Sequence, residues 1–210
     1  MTGVRPIFQD IFGDEAWARL PLALLAHYAN RPRTRDRVTV KGVLTIRMSK
    51  LMAFLGPVLK LTGMLTPWAG ENIPCTVHFL SQPDSDTFVF ERWFYYPGRK
   101  PYVFRSELVP RGGHEVTEYF ACGLGWRCTF YYDGDKVILR DRGFAWLLFG
   151  LHIPLPGFLD IFMGRGGAYE TATGDNSFYM RMEVNHVLFA GVQYGYDGAF
   201  TVTEVALQDG

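Results

Sequence analysis

The sequence predicts an α+β protein built on a strongly curved antiparallel sheet or incomplete β-barrel of about seven to nine strands, covered by helices. Three observations carry that expectation. Residues 86–108 read as two aromatic, β-branched runs on either side of Pro97-Gly98-Arg99-Lys100-Pro101, which is a hairpin in period two. Further alternating runs follow, separated by glycine and aspartate turn signals. Aromatic residues make up 16% of the 210-residue chain and charged residues only 20%. An ordinary soluble domain carries roughly 25% charge, so apolar surface here has to be enclosed or covered.

The length suits one domain spanning residues 1–210. Lysine plus arginine and aspartate plus glutamate both number 21, so no global charge points to nucleic acid. Cys75, Cys122 and Cys128 form no CxxC pair, and buried thiols are the expectation. His27, His152 and His186 are too scattered for a metal site, and Gly123-Leu124-Gly125 lacks the third glycine of a dinucleotide loop, so neither metal nor cofactor is expected. The N-terminal residues show no apolar core or cleavage signature of a signal peptide, which suggests a cytoplasmic protein, with peripheral attachment to the inner membrane as an extension.

Residues 1–30 are expected to be helical, with Asp14 capping one helix and Pro21 opening the next. A basic passage follows from Arg31 to Lys50, which reads as a solvated connector or as a contact with anionic head groups. The sheet is expected over residues 37–205, starting with an alternating strand at 37–48. Ser49 then caps a helical insertion at 49–65 that is apolar on nearly every side and so is buried or interfacial. Pro67, Gly70 and Pro74 mark a loop before a strand at 75–80 and the aromatic hairpin. Strands are expected from His114 onward, with a bend or bulge allowed by Gly123 and Gly125 before 126–132 continues as strand, then a turn at Asp133-Gly134-Asp135 and a run back as far as Asp141. Residues 144–163 read as a second helical insertion, either a buried cover over the sheet or a membrane-dipping flap. Pro154 and Pro156 argue against a bilayer span. Residues 164–167 read as a connector, and Asp197-Gly198 as a turn between the last two strands.

Several separated motifs together resemble a bacterial domain of unknown function, family 4166. They are Leu20-Pro21 with His27, Arg92-x-Phe94 with Phe104-x-Ser106, Glu118-x4-Gly123, the Leu-x-x-Pro-Leu-Pro block ending at Pro156, and the tail from His186 with Gly191, Tyr196 and Gly198. The resemblance runs from about Leu20 to Val202, with Val187 where the family carries proline. It implies a domain found alone or behind a Rossmann-type, saccharopine-dehydrogenase-like unit, and hence a Rossmann-type reductase as a partner. It implies no activity.

The candidate site residues are the polar groups within apolar strands, Arg92, Arg105, Glu118, Glu170, His186 and Tyr196, together with Phe94, Phe104 and Ser106 from the quoted motifs. An arginine and a glutamate aimed into an apolar cavity are costly unless paired, and such pairs fix the polar end of a ligand. The bland reading sends them to solvent. Lipocalin-like and helix-grip-like folds enclose apolar molecules, and by that analogy the leading expectation is a non-enzymatic binding domain for a lipid or other hydrophobic small molecule. One alternative is an enzyme acting on a greasy substrate with Glu118 or His186 as general base. Another is a module that docks on an anionic membrane surface.

Overall fold

In the computed structural model, which describes residues 4–159, 163–186 and 188–208, seven successive strands pair in chain order as an antiparallel meander. They are β1 (Arg37–Met48), β2 (Gly70–Ser81), β3 (Phe88–Phe94), β4 (Tyr102–Gly112), β5 (Glu115–Phe120), β6 (Leu124–Tyr132) and β7 (Lys136–Leu148). β9 (Arg165–Ala172), β10 (Ser177–His186) and β11 (Phe189–Ala206) continue the order. β7 pairs with β9 over Lys136–Arg140, and β11 pairs along the whole length of β1, from Arg37↔Ala206 to Met48↔Tyr194. The result is a closed barrel of ten antiparallel strands rather than an incomplete one of seven to nine. Closure leaves no strand edge within the ring to recruit another chain. Beyond Arg140 β7 parts from β9 but stays paired with β6 as far as Trp146, and its other side pairs over Ala145–Leu148 with β8 (Leu151–Pro154), which makes a short flap.

Two glycines let the ring close. A Cβ on Gly198 would lie 2.0 Å from the Val43 carbonyl oxygen, and one on Gly42 would lie 2.3 Å from that of Ala199. At this crossing the two backbones approach more closely than any side chain allows. For the same reason Asp197-Gly198 is not a turn but the middle of an 18-residue strand.

The register sets two distinct ends. Met48, the start of β2, and the β3–β4, β5–β6, β7–β8 and β10–β11 connections share the upper end. At the lower end sit three short helices, α1 (Ile7–Phe12), α2 (Asp14–Ala18) and α3 (Leu22–His27). Phe8 of α1 packs against Phe88 and Phe130 with ring centroids at 5.4 and 5.2 Å, and Tyr28 lies tilted against Phe8 at 4.3 Å. The plug is held by polar contacts as well. The buried Asn30 amide donates to the carbonyls of Asp36 and Phe79 and to Ser81 Oγ. Asp36 accepts from Arg31 and from the Gln208 backbone amide, tying the entry of β1 to the exit of β11.

The upper end carries α4 (Lys50–Phe54) and α5 (Gly56–Thr62). Ser49 caps α4 as its sequence predicts, its hydroxyl accepting from the Met52 amide. The loop after α5 is pinned by tyrosine hydroxyls: Tyr194 and Tyr96 meet Thr66, Tyr96 also donates to the Trp68 carbonyl at 2.6 Å, and Tyr102 donates to the Leu65 carbonyl.

Several expectations need correction. The protein is mostly sheet, and with no described helix longer than seven residues it lacks the long helix of a helix-grip. Of the two settings expected for the helical insertion at 49–65, buried or interfacial, the buried one is excluded, because Phe54 and Leu61 face outward. Pro74 lies within β2 opposite Val43, and the connector at 164–167 is mostly strand β9. Residues 144–154 are strand, not helix: Phe149 and Gly150 both adopt positive φ, 51° and 79°, the geometry of a tight primed hairpin turn. Residues 160–162 of the predicted insertion, and Val187, lie outside the described residues.

Candidate functional site

Strand alternation decides which side chains enter the barrel. Phe88, Phe90, Arg92 and Phe94 of β3 share one face, as do Phe104 and Ser106 of β4, Glu118 and Phe120 of β5, Phe178, Met180 and Met182 of β10, and Tyr196 and Phe200 of β11. Between them lies a cavity of about 100 Å³, lined by Phe90, Arg92, Phe94, Phe104, Glu118, Phe120, Tyr196 and their neighbours. Phe88 is buried beneath it in the aromatic floor.

The Arg92 guanidinium lies in this interior. Nη2 donates to Glu118 Oε1 at 2.8 Å and Nη1 to Ser106 Oγ at 2.9 Å, while Ser106 Oγ donates to the same Glu118 oxygen at 2.6 Å. The rings of Phe90 and Phe104 flank the guanidinium at 4.8 and 4.7 Å. Cross-strand registers of Phe90↔Ser106 and Ser106↔Phe120 put the three polar residues on one diagonal of the sheet, which strand tilt lines up inside a barrel. Both charged side chains are nearly enclosed, 11% and 12% exposed. Burial works against the Arg92 charge, but Glu118 beside it holds the guanidinium above its ordinary value.

A second polar group faces the first from the floor. Glu170 of β9 accepts a 2.5 Å hydrogen bond from the Tyr28 hydroxyl and lies 3.3 Å from His27 Nε2. Burial pushes the Glu170 carboxyl up, but the charge of His27 and hydrogen bonds from His27 and Tyr28 outweigh it and hold the group below the usual range. His27 Nδ1 is buried without a hydrogen-bond partner. Tyr196 also lines the cavity, and burial pushes its phenol up to about 12, so at neutral pH it presents a hydroxyl. That hydroxyl enters none of the side-chain hydrogen bonds of the described residues.

Above the cavity is a second chamber of about 250 Å³, between the barrel mouth and α4–α5, lined by Leu51, Leu55, Leu59, Phe144, Met163 and His186 among others. Met64, Leu65, Phe120, Trp126 and Met182 line both spaces and form the partition. Two of the five are methionines, whose unbranched side chains rearrange readily.

The barrel thus gathers Arg92, Phe94, Phe104, Ser106, Glu118 and Tyr196 around one space. It does not bring Arg105 there. Arg105 points outward between the inward Phe104 and Ser106, as period two requires, and is exposed. Nor does it unite Glu118 with His186: the first lines the inner cavity and the second the outer chamber. Glu118 is moreover engaged by both Arg92 and Ser106, which leaves no free base at that oxygen. Sequence reasoning had no means of assembling His27, Tyr28 and Glu170, because the helix and strand that carry them are 142 residues apart. Their signal was the His27 of the Leu20-Pro21 motif and a lone glutamate in an apolar run. Among the described residues, no cluster of three or more histidine, cysteine, aspartate or glutamate side chains could hold a metal ion. No described helix is long and apolar enough to cross a membrane.

A family model described as Domain of unknown function (DUF4166) matches residues 20–200. No curated protein matches the chain. Among solved structures, the dehydratase domain of the polyketide PpsC from Mycobacterium tuberculosis aligns over 89% of this chain and 82% of its own, at 8% identity and a TM-score of 0.19. A score that low carries no argument about fold or chemistry.

Proposed function

We propose that the barrel binds an apolar small molecule; the premise is that the chain belongs to the family Domain of unknown function (DUF4166), whose description assigns no activity. The observation that supports the reading is the ring-lined cavity inside the barrel with a polar diagonal on its wall. Ligand sites are typically apolar, with a few convergent polar groups that fix orientation.

The polar wall also favours one kind of ligand. Arg92 is already engaged by Glu118 and Ser106, and Glu170 adds a second carboxylate to a space holding one guanidinium. An incoming free acid meets two like charges. A hydroxyl or amine can instead donate to a carboxylate oxygen or bond the Tyr196 hydroxyl. A long-chain alcohol, a sterol-like ring alcohol or an alkyl amine therefore suits the cavity better than a fatty acid. The inner space takes the polar end and the few carbons nearest it, since a 150 Å³ cavity holds about one benzene ring. The rest of the molecule lies in the outer chamber.

The test compares saturable uptake of fluorescent alcohol, amine and acid analogues of one chain length, alongside organic extraction of protein purified from cells. Preference for the alcohol or amine supports the reading. So does its loss on Ala168→Leu, which fills the cavity from β9. No saturable uptake of any analogue and a clean extract would overturn it.

A further inference from the structure

The two ends of the barrel differ sharply in surface chemistry. Exposed large apolar side chains gather at the upper end on three separate elements. They include Phe54 and Leu61 of α4–α5, Trp146 and Phe149 of the β7–β8 hairpin, and Leu188 and Phe189 at the β10–β11 turn. Phe54, Leu61 and Phe149 are 81%, 87% and 95% exposed, more than any packing role within the fold requires. At the lower end the exposed large apolar residues are Val4, Leu22, Val205 and Leu207.

Charge is divided along the same axis. Among the described residues, the upper connections carry Lys50, Lys60, Arg99 and Lys100 and no carboxylate. Glu71 stands on β2 itself, beside Arg99 in a surface groove. The lower loops carry Asp84, Asp86, Asp133, Asp135 and Asp175. The basic passage from Arg31 to Lys50 gives only its last residue to the upper connections: Arg31 and Arg33 are at the lower end, paired with Asp36 and Asp86.

We propose that the upper end is a membrane-docking surface for a bilayer containing anionic lipid. The projecting apolar tips enter the boundary between head groups and acyl chains, and the lysines and Arg99 lie at the level of the lipid phosphates. Insertion of these tips turns the mouth of the outer chamber toward the bilayer. The alternative of a second copy on this face is disfavoured by symmetry. A two-fold pairing places the same patch on both partners, and among the described residues that sets four cations of the connections against four, with only Glu71 near them. Docking does not depend on the cavity being occupied.

The experiment is flotation of the full chain with phosphatidylcholine vesicles, with and without phosphatidylserine, at low and high salt. The expected result is binding to the anionic vesicles that weakens with salt. The triple variant Phe54→Asp, Leu61→Asp, Phe149→Asp loses about tenfold or more of that partitioning, whereas Leu22→Asp at the opposite end matches the wild type. Because the substituted side chains are exposed, near-ultraviolet circular dichroism should show each variant folded. Lys50→Glu with Lys100→Glu should remove chiefly the salt-sensitive part. Absence of binding to anionic vesicles, or undiminished binding by the triple variant, overturns the proposal. Concentration-dependent self-association abolished by the same variant would assign the face to a second copy and overturn it equally.

Discussion

Arg92 and Glu118 meet at 2.8 Å inside the barrel although their strands, β3 and β5, are not neighbours, and Ser106 on the strand between them bonds to both. Such an arrangement is costly to disrupt from one side. Glu118→Ala leaves an enclosed guanidinium without its main counter-charge, and urea unfolding should show a loss of about 3–5 kcal/mol. Replacing both groups by apolar ones, Arg92→Met with Glu118→Leu, should restore most of that stability while removing the polar end of the site. A double variant as unstable as the single one would mean that the pair stabilises the fold beyond its own charge balance.

Two buried carboxylates should make the protein sensitive to acid. Burial pushes both Glu170 and Asp36 upward, but each ends below the usual range. The charge of His27 with bonds from His27 and Tyr28 decides the first, and hydrogen bonds from Arg31 and Gln208 decide the second. A carboxyl with a lowered folded-state pKa contributes its stability in full above the unfolded value of about 4 and loses it as pH falls through the folded value. Urea midpoints should therefore be level from neutral to about pH 5 and fall below about pH 4. Glu170→Gln should flatten part of that fall. A variant with an unchanged acid slope would assign the sensitivity elsewhere.

Closure of the ring should be intolerant of a single methyl group. In Gly198→Ala the new carbon sits 2.0 Å from the Val43 carbonyl oxygen, a backbone atom that cannot rotate away. The expected cost is on the order of 3 kcal/mol or more, seen as a lower thermal midpoint. Gly98→Ala is the contrast: no atom lies within 4 Å of its added Cβ, and only the strain of its φ of 68° is at issue. Equal costs at both positions would argue against a close β1–β11 crossing.

Thiol reactivity should separate the three cysteines. Cys122 is exposed at the β5–β6 turn, whereas Cys75 and Cys128 are buried, and burial pushes the Cys75 thiol up to about 12. A thiolate-directed reagent should label one group rapidly in the native protein and the other two only on unfolding. Rapid native labelling of Cys75 or Cys128 would show the barrel interior open to solvent.

Elements whose signals are local were legible in the sequence. Period two in β3, β4, β5 and β10 correctly paired Phe90 with Arg92 and Phe178 with Met180, because alternation is a property of the extended backbone itself. The Ser49 cap, the Asp133-Gly134-Asp135 turn and the bounds of β1 were legible for the same reason. Local signals failed where the ring overrode them. Asp197-Gly198 looks like a turn, yet the glycine is there to let two backbones touch. Residues 144–154 look like an apolar helix, yet β6 is already in place to pair with Phe144–Trp146, and 151–154 fold back on β7.

From the sequence by itself, then, came the strands, the pairing of polar with aromatic residues on shared faces, and the surplus of apolar surface. Alternation fixes which residues lie together but is symmetric between inside and outside. Only closure of the ring decided that the face bearing Arg92, Ser106 and Glu118 looks inward and the one bearing Arg105 looks outward. Only closure brought His27 and Glu170 into contact and gathered the exposed apolar tips at one end, because those relations depend on which distant strands become neighbours.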